Sequence, residues 1–136
     1  MPSINYLAAI LAAVAAFMVG AVWYSPMLFG KAYAELRGLA ADPVAATRPP
    51  IGELIGEFAR NLVVAVVLAG FAAQLSVGDW KAGLQLGAWV WVGFQAMLLL
   101  GDPLHEGMPW KLYAMHAGDA LVKTLLQGAI IGAWRG

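Results

Sequence analysis

Cysteine is absent from the 136 residues. That excludes disulfides, thiol catalysis and cysteine-based metal sites, and it leaves the compartment open. Charge is scarce too: eight basic and eight acidic side chains cancel at neutral pH. A soluble domain normally carries about a quarter charged residues. No basic run supplies an electrostatic footprint for nucleic acid, and no such partner is expected. The first 30 residues hold no charged side chain. A cleaved signal peptide needs a basic start, which Met1 to Tyr6 lacks, so this segment is expected to remain as a helix. No HExxH, P-loop or GxGxxG spacing occurs. Ser25, Ser76 and Thr124 have no evident base, so a hydrolase triad has no support. Neither a cofactor, a metal site nor a catalytic residue is expected.

What the chain has is apolar surface. Hydrophobic residues make up 62% of it, more than a soluble domain of this size can bury. A membrane span needs about 20 mostly apolar residues. Four segments qualify, at about 4–24, 51–77, 82–101 and 109–134. The expected fold is all-α: an integral membrane four-helix bundle, one domain over 1–136, with the lipid bilayer as partner. The fourth segment is the weakest on hydropathy.

The first connection is long. Ser25-Pro26-Met27-Leu28-Phe29-Gly30 breaks the first helix, and Lys31 to Leu39 predicts a short helix. Tyr33, Leu36 and Arg37 share a face there, which suits the membrane interface. Asp42-Pro43 and Arg48-Pro49-Pro50 read as loop, and Pro50 suits a helix start. The second connection, near Ser76 to Lys81, is tight, and the third runs from Asp102 to Pro109. Part of the first connection, Pro26 to Ala34, is echoed after the third span by Pro103 to Gly107 and Lys111 to Ala114, as in a duplicated hairpin. Tyr6, Trp23, Tyr24, Trp80, Trp110, Tyr113 and Trp134 stand where interface anchors belong. Trp89 and Trp91 lie inside the third span on different sides, so one of them is expected to face lipid or another subunit. Lys31, Arg37, Arg48 and Lys111 flank one side, Lys81 and Arg135 the other. The positive-inside rule then puts the termini outside the cytoplasm.

Two spans carry polar stripes. On the fourth, His116, Asp119, Lys123 and Gln127 recur at helical spacing; on the second, Glu53, Glu57, Arg60 and Asn61 do. Ionisable groups at such depth point to function or to specific packing. Counting at about 1.5 Å per residue from the two helix starts pairs Arg60 with Asp119 and Glu57 with His116. Lys123 then lies near the bilayer centre, able to reach back to Asp119. Glu57 and Asp119 balance Arg60 and Lys123, so the cluster is neutral. Such a network is either helix-to-helix glue or a polar pocket or ion path. His116 beside the two acids is suited to relay protons. A metal bound by His116, Asp119 and Glu57 is weakly signalled, because the ligands are scattered over two helices. His105 and Glu106 are expected to be solvated.

Small residues form ridges: Ala8, Ala12, Ala16 and Gly20 on the first span, Gly83 and Gly87 on the third, Gly128 and Gly132 on the fourth. Such ridges pack helices closely, within one chain or between subunits, and self-association is expected.

The run Trp23-Tyr24-Ser25-Pro26-Met27-Leu28-Phe29-Gly30-Lys31 is distinctive. With the four spans, the Glu106-Gly107 turn and the closing Gly132-Ala133-Trp134-Arg135, it resembles a family of small bacterial membrane proteins catalogued as domain of unknown function 1761. The resemblance covers essentially the whole chain. It implies a four-helix protein of the bacterial inner membrane and supplies no activity. In the motif, Trp23 and Tyr24 anchor a helix end, Pro26 forces a turn, Gly30 permits close backbone approach and Lys31 reaches headgroups. The motif is either a membrane-exit turn or a lid over a pocket. Three functions follow: solute or ion binding and transport at the charge network, a structural or accessory subunit of a membrane assembly, or a small membrane enzyme using His116 with Asp119 or Glu57. Small multidrug exporters place an essential acid in their first span. This chain has none there.

Overall fold

Short polar caps and prolines delimit the helices. In a computed structural model that describes residues 4–25, 28–36 and 50–134, the described residues are helical or connecting, with no strand. The elements are α1 (Tyr6–Trp23), α2 (Gly30–Leu36), α3 (Ile51–Gln74), α4 (Trp80–Val90), a π-helical turn (Trp91–Gln95), α5 (Ala96–His105) and α6 (Trp110–Ala133). Asn5 caps α1, its Oδ1 accepting from Ala8 N–H at 3.1 Å. Asp79 caps α4 in the same way, accepting from Ala82 N–H at 2.8 Å. Pro50 and Pro109 stand just before α3 and α6. Arg37, Asp42-Pro43, Arg48-Pro49, Arg135 and Pro26 of the motif fall outside the described residues.

Among the described residues, three helices are long and apolar enough to cross a membrane: α1, α3 and the continuous rod Trp80–His105. α6 matches α3 at 24 residues. Its polar stripe keeps it out of that group. The rod runs on through Pro103 to His105, past the expected end near Gly101. A proline this close to a helix end removes little of the hydrogen-bond ladder. Asp102 O then accepts from Glu106 N–H at 2.8 Å, closing the last turn.

The helices pack small faces inward. Ala8, Ala9, Ala12, Ala13 and Ala16 of α1 are fully buried, and Ala9, Ala12 and Ala13 form one cluster with Ala65, Leu68, Ala69 and Ala72 of α3. The large side chains of α1 point out: Leu7, Ile10, Leu11, Val14, Met18 and Val22 are exposed. In water such a surface would be an aggregation hazard. In lipid it is the expected arrangement, because tails are as apolar as leucine and close approach of small residues holds helices together.

Glycine does the same between α4 and α6. A β-carbon on Gly87 would stand 2.6 Å from Thr124 O. Gly83 lies on Gly128, and Gly132 on Asp79, with no room for any side chain. The ridges of the third and fourth segments are thus spent on each other within one chain. Pairing of Asp79 with Gly132, Gly83 with Gly128 and Gly87 with Thr124 makes α4 and α6 antiparallel. α1 and α6 are antiparallel too: Asn5 Nδ2 donates to Trp134 O at 2.8 Å at one end, and Trp23 Nε1 donates to Met115 O at 3.1 Å at the other.

α3 runs parallel to α6, in a register the depth count misses. Glu57 meets Lys123 and the Asn61 carbonyl meets Gln127. That is about two helical turns from the Glu57–His116 and Arg60–Asp119 match. The two helices do not start level. With Glu57 beside Lys123, Ile51 lies level with about residue 117, so α6 begins roughly two turns before α3, and counting each from its own start places Glu57 and Arg60 too high.

Candidate functional site

The site is a polar seam where α3 and the end of α1 meet α6. Lys123 is its centre. Nζ donates to Asp119 Oδ2 at 2.8 Å on its own helix and to Glu57 Oε1 at 3.0 Å across the α3–α6 interface. Glu57 Oε2 also accepts from Arg60 at 2.8 Å. Arg60 therefore pairs within α3, with the acid one turn back, rather than with Asp119. Lys123 and Asp119 are buried, while the Arg60 side chain is 80% exposed. The long lysine stem carries its charge back along the helix. A β-carbon on Gly20 would stand 2.9 Å from Nζ, so the ammonium lies one turn below Trp23, not at mid-span. Gly20 leaves the room it occupies.

One layer deeper, Gln127 Nε2 donates to Asn61 O at 3.0 Å. Two buried polar atoms have no hydrogen-bond partner among the described residues: Asn61 Nδ2 and Asp119 Oδ1. Such atoms ordinarily carry water or a ligand.

At the upper end His116 meets the tyrosines. Tyr24 Oη and His116 Nδ1 are 2.7 Å apart. Tyr33 of α2 packs edge-on against both rings, 4.9 Å from Tyr24 and 5.8 Å from His116. Its ring thus closes the upper end of the seam.

The WYSP run builds this arrangement. Its polypeptide folds back on α1: Phe29 N–H donates to Trp23 O at 3.0 Å and Gly30 N–H to Ser25 O at 2.8 Å. Ser25 Oγ closes the turn on Val22 O at 2.7 Å. A β-carbon on Gly30 would lie 2.7 Å from Ser25 C, so only glycine fits. The Trp23 indole packs against Phe29 in a tilted pair, centroids 4.8 Å apart, and covers Gly118. Lys31 is exposed.

A family model described as a protein of unknown function (DUF1761) matches residues 7–132. The chain belongs to that family. No curated protein and no solved structure gives a significant match.

Three polar contacts of this DUF1761 chain have no counterpart in the sequence reading. Thr124 Oγ1 donates to Gln95 Oε1 at 2.6 Å, Trp91 Nε1 to Ala117 O at 2.9 Å, and Tyr113 Oη to Ala96 O at 3.1 Å. All depend on the π-helical turn, whose wider winding keeps Trp91, Gln95 and Ala96 toward α6 after Gly83 and Gly87. Gln95, a polar residue inside an uncharged span, was the available signal. Of the two tryptophans, Trp89 is the outward one, at 77% exposed. An open depression on the DUF1761 surface is lined by Ala15, Met18, Val22, Trp23, Leu28 and Val122. It is apolar and takes in none of the charged seam.

Proposed function

We propose that this DUF1761 chain is a four-span protein of the bacterial inner membrane that binds a small solute or ion at the Glu57–Lys123–Asp119 cluster, as part of transport. α6 completes the bundle because its charges are neutralised at the seam. The observation that carries this reading is Asp119: its carboxylate is buried, yet Oδ1 has no hydrogen-bond partner among the described residues. A group kept only for packing would use both oxygens, since an unsatisfied buried acceptor costs about 1–3 kcal/mol. Glu57, a third exposed, gives the cluster its open side.

The test uses the full chain in mild detergent. A screen of small solutes and salts by thermal shift, followed by flux in proteoliposomes, should find a compound whose effect is lost in Asp119→Asn while the helical content is unchanged. Neutral replacement of Asp119, Lys123, Glu57 and Arg60, each without effect on binding or flux, would sink the proposal.

An accessory-subunit reading draws on the outer surface of the rod, where Trp89, Phe94 and Leu98 are 77%, 67% and 82% exposed. Self-association or docking in a larger membrane complex would cover it. Native electrophoresis after mild solubilisation separates the two, because that reading requires a stable assembly larger than one chain.

A further inference from the structure

The charges of the seam are shared unequally. Glu57 has two cations, Arg60 at 2.8 Å and Lys123 at 3.0 Å. Among the described residues Asp119 has one, the same Lys123, at 2.8 Å. If Lys123 moves wholly to Asp119, Glu57 keeps Arg60. If Lys123 moves wholly to Glu57, Asp119 keeps nothing and needs another positive charge. The seam is therefore built to exchange a cation at Asp119 and nowhere else in the cluster.

The surroundings decide which cation. Sodium needs several oxygen ligands, and among the described residues the seam offers two carboxylates, Glu57 and Asp119, both already on Lys123. A proton needs one oxygen, and Asp119 Oδ1 is a buried acceptor without a hydrogen bond. His116, one turn away on the same face of α6, is a group of suitable chemistry. It is hydrogen-bonded to Tyr24, whose ring also meets Tyr33. Among the described residues, the groups facing Asp119 are thus His116 and Lys123 on α6, Glu57 and Arg60 on α3, Tyr24 at the end of α1 and Tyr33 on α2. The rod contributes no charge between Lys81 and Asp102.

We propose that the ion handled at this site is the proton, taken up at Asp119 in exchange for Lys123. The inference rests on the binding reading above and names its ion. In the uptake step an N–H bond of the His116 imidazolium breaks and an O–H bond forms on Asp119. Neutral imidazole remains beside Tyr24, and Lys123, still an ammonium, passes to Glu57. Release reverses each change. No oxidant or second substrate is involved.

Infrared difference spectroscopy on the full chain in phosphatidylcholine vesicles tests this. Stepping from about pH 9 to about pH 5 should produce a carboxylic-acid C=O band that shifts in heavy water. The band should vanish in Asp119→Asn and persist at a displaced frequency in Asp119→Glu, which separates chemistry from folding. Lys123→Gln should move its midpoint up by at least about one pH unit, a tenfold change in proton affinity. Glu57→Gln should move it down, since Lys123 then has no second acid to go to. Absence of the band in the parent chain, its survival in Asp119→Asn, or its suppression by sodium at fixed pH would each overturn the proposal. If no band forms while solute binding still depends on Asp119, proton exchange fails and the binding reading stands.

Discussion

Lys123 and Arg60 both bond Glu57, yet their settings differ. The first side chain is 10% exposed and the second 80%. Removing one member of a buried pair leaves the others uncompensated, a loss of about 3–5 kcal/mol. An exposed pair contributes about 0–1 kcal/mol. Lys123→Met should therefore lower the thermal unfolding midpoint sharply, and Arg60→Gln should barely change it. Unfolding followed by circular dichroism in one detergent gives the comparison. Equal effects would mean that the seam is not organised around Lys123. The residue types were legible in the sequence, and so was the Lys123–Asp119 contact, which follows from helical spacing. The Tyr24–His116 bond was not, because it joins residues far apart in the chain through a turn that only the folded motif creates.

At the scale of the element, glycines of one helix type have opposite roles. Gly83 and Gly128 have backbone where a side chain would go, whereas Gly52 and Gly56 have open space among the described residues. Gly83→Leu or Gly128→Leu should prevent folding or force α4 from α6. Gly52→Ala and Gly56→Ala should each stabilise α3, by about 1 kcal/mol, because alanine suits a helix better. Thermal midpoints of the four variants decide this; a tolerated leucine at Gly83 would contradict the packing. The α3–α4 turn offers a further test. Val77 N–H bonds Ala72 O at 2.9 Å while Ser76 sits at φ 55°. This is a Schellman end with serine where glycine is favoured. Ser76→Gly should raise stability by about 1 kcal/mol, read in the same assay. The sequence showed helix starts and glycine ridges, since prolines, caps and spacing are local signals. It could not show which ridge meets which, nor the two-turn slide of α3. Both are set by where each helix starts relative to its neighbours. The π-helical turn was hidden for another reason: Trp91 to Gln95 is an apolar run with no breaker but Gly93, and only contact with α6 rewinds it.

For the whole molecule, the absence of cysteine is an experimental advantage. Gly78 and Glu106 are exposed at connections on opposite ends of the rod. On the proposed orientation, a membrane-impermeant maleimide applied to intact cells should label Gly78→Cys and spare Glu106→Cys. The opposite pattern would invert the topology, and labelling of both would argue against a rod that crosses the membrane. The all-helical class and the membrane-like surface were plain from the sequence, since continuous apolar runs of about 20 residues suit spanning helices, whereas barrel strands alternate polar and apolar residues. The seam was half legible: its members could be named, and their partners depended on the register.

That register bears on where the protein settles. α3 starts about two turns lower than α6, and Arg60 faces outward roughly 10 Å below the level of Trp23, as the Phe17–Phe58 contact places it. A guanidinium at that height draws headgroups or water down to itself. One flank of the protein is thus matched to a thinner hydrocarbon layer than the other. Bilayer thickness then becomes a variable of the system: shorter acyl chains relieve the mismatch, longer ones increase it, and Glu57 lies on the flank that feels the difference.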